Sequence, residues 1–554
     1  MKRTLPSHFA FSLFLLLIAT GIALGQGTTS RVTGVVTDPQ GSVVTGATVT
    51  LTNEGTNASL TMETTSTGTY VFDLLQVGVY TVTVEMQGFK KFVSTGNQVN
   101  VNQPATVDAV LEIGGINDVV TVSSSAELVQ TSSSGNFGNT VEQRTLETLP
   151  IVGNRGRNPL TFLLFQPGVS STQDITAGGG IHVHGSRDRA FNYTLDGIDS
   201  NESSFGGSNL SPIRTNPDSI TQFQVVTSNF TAELGRSSGA QITLVTRSGT
   251  NEFHGTGFWF YQTPGLNANE YGNKINTRLV NGVPTEQPRG QFVQHIYGGS
   301  IGGPIKKDKL FFFTNLQLLR SYDTALVTRT VYTPLARQGF FRYRNDGVAN
   351  APAGASNSTV DTAGNVIIAP AKISTYDIGA RDPLCITFPT NCGLDPTILK
   401  LLALTPAPNN YSVGDGLNTA GFSFASPQRE KQYDFTAKVD YNMTDRSFLY
   451  VRYAQGQQNT FGDSANGGRP AFPDSPANFV DTFRDPKNLA INYRWSPTGS
   501  ITNEFVIGGN RYAFSFNNPD ENANSNPPFT FSNSGITDPL NATPPVNNLR
   551  RITT

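Results

Sequence analysis

Between residues 433 and 441 the chain alternates with a period of two. Tyr433, Phe435, Ala437, Val439 and Tyr441 are apolar, and the intervening Asp434, Thr436, Lys438 and Asp440 are polar. Leu489, Ile491, Tyr493 and Trp495 alternate in the same way with Ala490, Asn492, Arg494 and Ser496. Side chains two apart share a face in an extended chain, so these stretches are predicted to be strands with one apolar face. Such a pattern suits a soluble sandwich as well as a membrane barrel, and the connections separate the two. Long segments at 263–290, 321–430 and 456–481 trade places with short ones at 304–309, 442–446 and 497–502. Membrane barrels alternate long outer loops with short inner turns in this way, which places the short turns in the periplasm. Tyr and Trp near strand ends fit interfacial girdles. After residue 25 no apolar run approaches the roughly 20 residues of a spanning helix. A bilayer crossing therefore has to be made by strands, which leave no unpaired backbone in lipid when closed into a barrel.

The composition agrees with an all-β-dominated chain of several modules. In 554 residues only 14% are charged, while 55 Gly, 36 Phe and 17 Tyr are present. The net charge of -2 gives no electrostatic reason to expect nucleic acid as a partner. Lys2 and Arg3 precede the apolar run FAFSLFLLLIATGIALG, which ends in small residues and reads as a secretory signal peptide over 1–25. Gln26, not Cys, stands directly after the cleavage point, so no lipoprotein anchor is expected. The two cysteines, Cys385 and Cys392, lie in CITFPTNC, and outside the cytoplasm they are expected to form a local disulfide.

Residues 27–114 carry short alternating runs separated by turn signals, which predicts a small antiparallel sandwich. In GVYTVTVEM, Tyr80, Val82, Val84 and Met86 face the core, and Val79, Thr81, Thr83 and Glu85 face water. The pattern T-x-x-G-x-Y-x-F-x-x-L-x-x-G-x-Y from Thr65 to Tyr80 resembles the carboxypeptidase regulatory-like domain, a transthyretin-like β-sandwich also grouped with carbohydrate-binding-like folds. The catalytic partner of such a domain would need H-x-x-E to hold zinc. The five histidines, His8, His182, His184, His254 and His295, are followed at the third position by Phe11, Gly185, Arg187, Gly257 and Gly298, so that pair is absent. Nor is there a G-x-S-x-G elbow, a phosphate loop or H-E-x-x-H, so no enzyme, metal site or cofactor is expected. His182 and His184 share a face of one expected strand, but without a third ligand they read as paired polar residues.

Residues 115–250 mix Gly-rich loops with short strands and a helical stretch. Their landmarks, in order, are LETLPIVGNRGRNPLTFLLFQPGV, IHVHGSRDRAFNYTLDGIDS and DSITQFQVVTSNFTAELGRSSGAQITLVTRSGTNEFHG. These resemble the plug domain of TonB-dependent outer-membrane receptors, most closely the Oar-like branch with an N-terminal regulatory-like domain. Leu149-Pro150 and Pro167-Gly168-Val169 match the early pattern, Leu195-Asp196-Gly197 the central turn, and residues 239–249 the closing strand. The resemblance implies a mixed α+β plug inside the barrel of residues 251–554. Arg155, Arg157, Arg187, Arg189 and Arg236 are then candidates to pair the plug with a charged lumen.

INDVVTV at residues 116–122 lies between sandwich and plug, where these receptors keep their TonB box. Asp118, Val119, Val120, Thr121 and Val122 are thus expected to have an unpaired backbone, free to add as a strand to an edge of TonB. The same Val/Thr run would also suit one more strand of the sandwich or plug. The implied function is energised uptake of a bulky ligand, such as a siderophore, saccharide or peptide. The implied partners are the inner-membrane TonB complex, outer-membrane lipid and an extracellular ligand. An adhesion or scaffold protein that binds carbohydrate or protein without transport is the alternative. About seven strands of roughly ten residues are expected between Gly255 and Phe516, against about 22 in large transporter barrels. The chain therefore reads as truncated, with an open, curved sheet and an exposed last edge.

Overall fold

The computed structural model describes residues 28–115, 118–123, 137–142, 145, 157, 159–171, 181–187, 190–201, 213, 215–230, 237–269, 274, 278–280, 283–285, 289–381, 396–403, 405–463, 472–473, 481–498, 501–517 and 549–553. The expected signal peptide, Leu149-Pro150, Arg155, Arg189, Arg236, and Cys385 and Cys392 with their expected disulfide lie outside them.

The N-terminal strands are β1 (Ser30–Thr37), β2 (Thr48–Asn53), β3 (Ser59–Glu63), β4 (Thr69–Leu75), β5 (Gly78–Glu85), β6 (Lys91–Val99), β7 (Ala105–Thr106), β8 (Ala109–Val110) and β9 (Val119–Ser123). They form two facing sheets, β4-β1-β7 with β8 also on β1, and β3-β2-β5-β6-β9. Tyr80, Val82 and Val84 of β5 are buried with Val32, Leu51, Tyr70, Phe72 and Leu75, as the alternation requires. The Tyr70 hydroxyl donates to the Val107 carbonyl at 2.5 Å. A Cβ at Gly34 would lie 2.0 Å from that carbonyl oxygen, so glycine is required there. Burial, with Asp108 nearby, pushes the Tyr70 phenol above its ordinary range.

The plug follows, with β10 (Phe137–Glu142), a 3-10 helix Pro159–Phe165, β11 (Val169–Ser171), β12 (Ile181–Val183), β13 (Phe191–Leu195), β14 (Ile198–Asp199), β15 (Ile220–Ser228) and β16 (Ala240–Thr246). Its main sheet runs β10-β15-β16-β13-β14, with β13 and β16 parallel. Every residue of β13 and β16 is buried, because the barrel wall covers what would otherwise be solvent faces. Asp196 and Gly197, both at positive φ, close the β13–β14 hairpin as Asp-Gly pairs do.

The third unit is an eight-stranded antiparallel sheet: β17 (His254–Gln262), β20 (Gln291–Lys306), β21 (Leu310–Tyr332), β24 (Thr419–Thr444), β25 (Ser447–Phe461), β26 (Asp481–Thr498), β27 (Ile501–Asn517) and β28 (Leu549–Thr553). Hairpins β18 (Arg278–Val280)–β19 (Val283–Thr285) and β22 (Phe340–Arg344)–β23 (Ile373–Asp377) sit in its long connections. Among the described residues β17 and β28 are each paired on one side, so the sheet is open. Several strands are far longer than the expected ten residues: β21 has 23 and β24 has 26. They continue past the bilayer as a paired arm out to Tyr332 and Thr419, which shortens the expected loop at 321–430 to 333–418.

Burial on this sheet is the inverse of burial in the sandwich. Val439, Tyr441, Val451, Leu489, Trp495 and Phe505 are exposed, and Ile507 is 53% accessible, whereas Asp434, Thr436, Lys438, Asp440, Asn488 and Asn492 are buried and Arg452 is 0% accessible. An apolar outer wall around a polar interior is stable only where lipid replaces water outside. That inversion resolves the ambiguity of the sequence pattern.

Candidate functional site: the plug–wall clasp and the box strand

Asp196 lies where plug, wall and sandwich meet. Its carboxylate accepts from Arg452 Nε at 2.8 Å, from the Thr246 backbone N–H at 2.8 Å and from Thr246 Oγ1 at 2.7 Å. Arg452 Nη2 donates to the Leu195 carbonyl at 2.9 Å, and Nη1 to the Asn488 side chain. Lys438 Nζ donates to the Thr246 carbonyl at 3.3 Å and lies 4.6 Å from the centre of the Tyr450 ring. Burial alone would raise the Asp196 pKa. Lys438, Arg452 and the two Thr246 bonds overcome it and hold the carboxyl below the ordinary carboxylate range. A buried charge with this many partners fixes the plug against the wall in one register.

The arginines expected to clasp the plug are placed differently. Arg157 is buried and pairs with Asp218 of the plug itself. Its contact with the wall is aromatic, with Phe258 and Phe260 of β17 centred 5.2 and 4.9 Å from the guanidinium. Arg187 is exposed on the loop after β12. The described ion pair that crosses from plug to wall runs with the opposite polarity, from a plug carboxylate to a barrel arginine. The sequence signal available for it was slight: Arg452 is the one charged residue of the run SFLYVRYAQG and shares its buried face with Phe448, Tyr450 and Ala454. His182 Nδ1–H donates to the Ser186 carbonyl at 2.9 Å, and the His184 ring packs over Gly168, so each imidazole is engaged separately.

Val119–Ser123, expected to be free, is the edge strand β9. It runs parallel to β6, with Lys91 opposite Val119 and Thr95 opposite Ser123. Of the two roles the Val/Thr run could play, the structure shows the sandwich strand, because the Asp118 N–H bond to the Gly115 carbonyl and the Lys91 N–H bond to the Asp118 carbonyl, each 2.9 Å, feed it onto β6. The pairing rests on main-chain bonds. Val119 and Val122 are exposed, and none of the described side chains of β9 enters the core cluster.

The sandwich sits at the short-turn end of the barrel. Val101 N–H donates to Gln222 Oε1 at 2.9 Å, and Gln224 Nε2 donates to the Val101 carbonyl at 2.7 Å, which joins the end of β6 to plug strand β15. Asn57 Nδ2 reaches Asp308 of the β20–β21 turn at 3.0 Å, and Arg494 Nη1 reaches the Leu74 carbonyl at 2.5 Å. A cavity of about 420 Å³ remains between the three units, lined by Glu54, Asp196, Lys438, Tyr450, Arg494 and Glu504 among others.

An apolar exposed wall, a polar lumen and a folded plug clasped inside it define an outer-membrane β-barrel of the plugged type, with the sandwich on the periplasmic side. The chain belongs to the outer membrane beta barrel domain family, which matches residues 245–554, and residues 31–112 match the carboxypeptidase regulatory-like domain. It is similar to the TonB-dependent transporter Oar of Myxococcus xanthus, with 28% identity over 306 residues. The match covers 53% of this chain and 27% of that protein, so the chain spans about a quarter of its relative's length. Similar solved structures include the ferric enterobactin receptor of Pseudomonas aeruginosa (TM-score 0.37, 10% identity, 68% of this chain and 41% of that one). The siderophore receptor PirA of Acinetobacter baumannii has TM-score 0.31 and 15% identity, over 69% of this chain and 44% of its own.

Proposed function

We propose that this chain belongs to a TonB-dependent transporter that moves a bulky ligand across the outer membrane, with Val119–Ser123 as the strand that TonB engages. The observation that carries the reading is the plug: a folded sheet clasped across the lumen by Asp196 and Arg452 blocks passage until something displaces it. The outer membrane has no energy source of its own, so displacement needs traction from a periplasmic partner. β9 offers that partner an exposed strand edge in the segment between sandwich and plug. The ligand class, whether siderophore, saccharide or peptide, would be selected by the long outer connections such as residues 333–418. Its relatives are transporters and receptors, which favours a non-enzymatic role.

The test is binding of the periplasmic domain of TonB to a peptide of residues 113–125 and to the whole chain. Saturable binding to both is expected, weakened at least tenfold by Val120→Pro, which removes a main-chain donor and cannot continue a ladder. No binding to either, with adhesion of the chain to carbohydrate or protein intact, would favour a scaffold instead.

A further inference from the structure

β9 occupies the end of its sheet, so one edge is bonded to β6 and the other is unpaired among the described residues. A partner strand can therefore add to the outer edge without breaking any bond that β9 already makes. Unseating β9 first would cost the β6–β9 ladder and leave β6 with an open edge in its place. The bound partner thus has a way to hold β9 as it sits.

β6 leads from there to the plug. Its first half, Lys91–Thr95, carries β9, and its last residue, Val99, runs straight into Asn100, Val101 and Asn102. That turn grips β15 through both main-chain groups of Val101. Gln222 Nε2 also donates to Asn100 Oδ1 at 2.6 Å, and Asn102 Nδ2 donates to Gln224 Oε1 at 3.3 Å. Gln222 and Gln224 are buried, so water does not compete for these bonds. The tie from sandwich to barrel rim at Asn57–Asp308 is exposed and does face that competition. The bond at Asn57 is therefore the weaker tie, and the part-buried bond from Arg494 to the Leu74 carbonyl is the tie to the wall that traction has to break.

Resting on the reading of β9 as the TonB-engaged strand, we infer that the sandwich is the mechanical coupler of this protein. Traction on β9 is delivered through β6 and the Asn100–Val101–Asn102 turn to β15, and sandwich and plug move as one body while β9 stays in its sheet. The interaction surface this assigns is the β6-terminal turn against β15. Its residues have a mechanical role distinct from partner binding.

The experiment is single-molecule pulling on the bilayer-embedded chain with a tip carrying the TonB periplasmic domain. The background carries Cys385→Ser and Cys392→Ser, and the paired substitutions Val93→Cys and Thr121→Cys, opposite one another across β6 and β9, allow a reversible cross-link. Coupling through β6 predicts the same first force peak at the same extension in oxidised, reduced and unsubstituted protein. It also predicts that Gln222→Ala with Gln224→Ala lowers that peak at least about twofold while leaving the frequency of tethering unchanged. If β9 instead has to leave the sandwich, the reduced protein will extend further before the plug is loaded. That added length disappears on oxidation. That result, or an unchanged peak in the glutamine variant, overturns the coupler. Absence of tethering in every form, with no binding of the 113–125 peptide, fails the underlying reading instead.

Discussion

The sandwich and the barrel wall are written in the same two-residue alternation and use it in opposite senses. In β5 the apolar side, Tyr80, Val82 and Val84, is hidden. In β24 the apolar side carries the exposed Val439 and Tyr441, and the polar side, Asp434 to Asp440, is hidden against the plug. A period of two records that a strand has two faces. Which face becomes the inside depends on what surrounds the sheet: water around the sandwich, lipid around the wall, and a folded plug in the lumen.

The largest expected effect comes from breaking what the wall hides. Arg452→Ala leaves Asp196 buried without the counter-charge that bonds it directly and should cost about 3–5 kcal/mol of plug–wall association. It would be read as protease sensitivity of the plug while the wall's strand content persists. The same contact should respond to acid. Because the folded-state pKa of Asp196 is lowered, its contribution is fully present above the ordinary carboxylate pKa of about 3.9 and is lost as pH falls through the lower, folded value. The Asp196 part of plug protection should be present at neutral pH and be lost below about pH 4. Asp196→Asn should remove that acid component.

The comparison of hidden faces is sharpened by paired substitutions of moderate effect. Leu51→Ala, in the sandwich core, should cost about 2–5 kcal/mol in water, measured by denaturant unfolding of the sandwich. Ile507→Arg, on the exposed wall, should leave the sandwich unfolding curve unchanged. It should cost about 2–4 kcal/mol of insertion if it lies near the bilayer midplane, measured as partitioning into vesicles. Equal effects of both in water would mean that the wall is packed against protein. The smallest expected effect is at the rim, where Asn57→Ala should change stability by less than about 0.5 kcal/mol in the same unfolding measurement, because that bond is exposed.

Strand character, the short turns and the sandwich core were all legible in the chain. Thr65, Gly68, Tyr70, Phe72, Leu75, Gly78 and Tyr80 specify a turn and a buried face within sixteen residues, and the structure uses them so. The lumen clasp was not legible as a pair, since Asp196 and Arg452 are 256 positions apart and nothing local records their meeting. The length of β21 and β24 was hidden because beyond the bilayer their faces no longer need a hydropathy contrast. β9 was the hardest case. A parallel edge strand with Val119, Thr121 and Val122 exposed carries little pattern of its own, and its pairing with β6 starts at the Lys91 N–H bond to the Asp118 carbonyl.

Hydrogen exchange at the main-chain amides of Val119–Ser123, with and without a saturating periplasmic domain of TonB, tests the central claim most directly. The expected result is slower exchange at those amides whose N–H groups face the open edge, with the β6 partners Lys91–Thr95 as protected as before. Exchange at 119–123 that is unchanged by TonB would contradict the assignment of this strand as the point where traction begins.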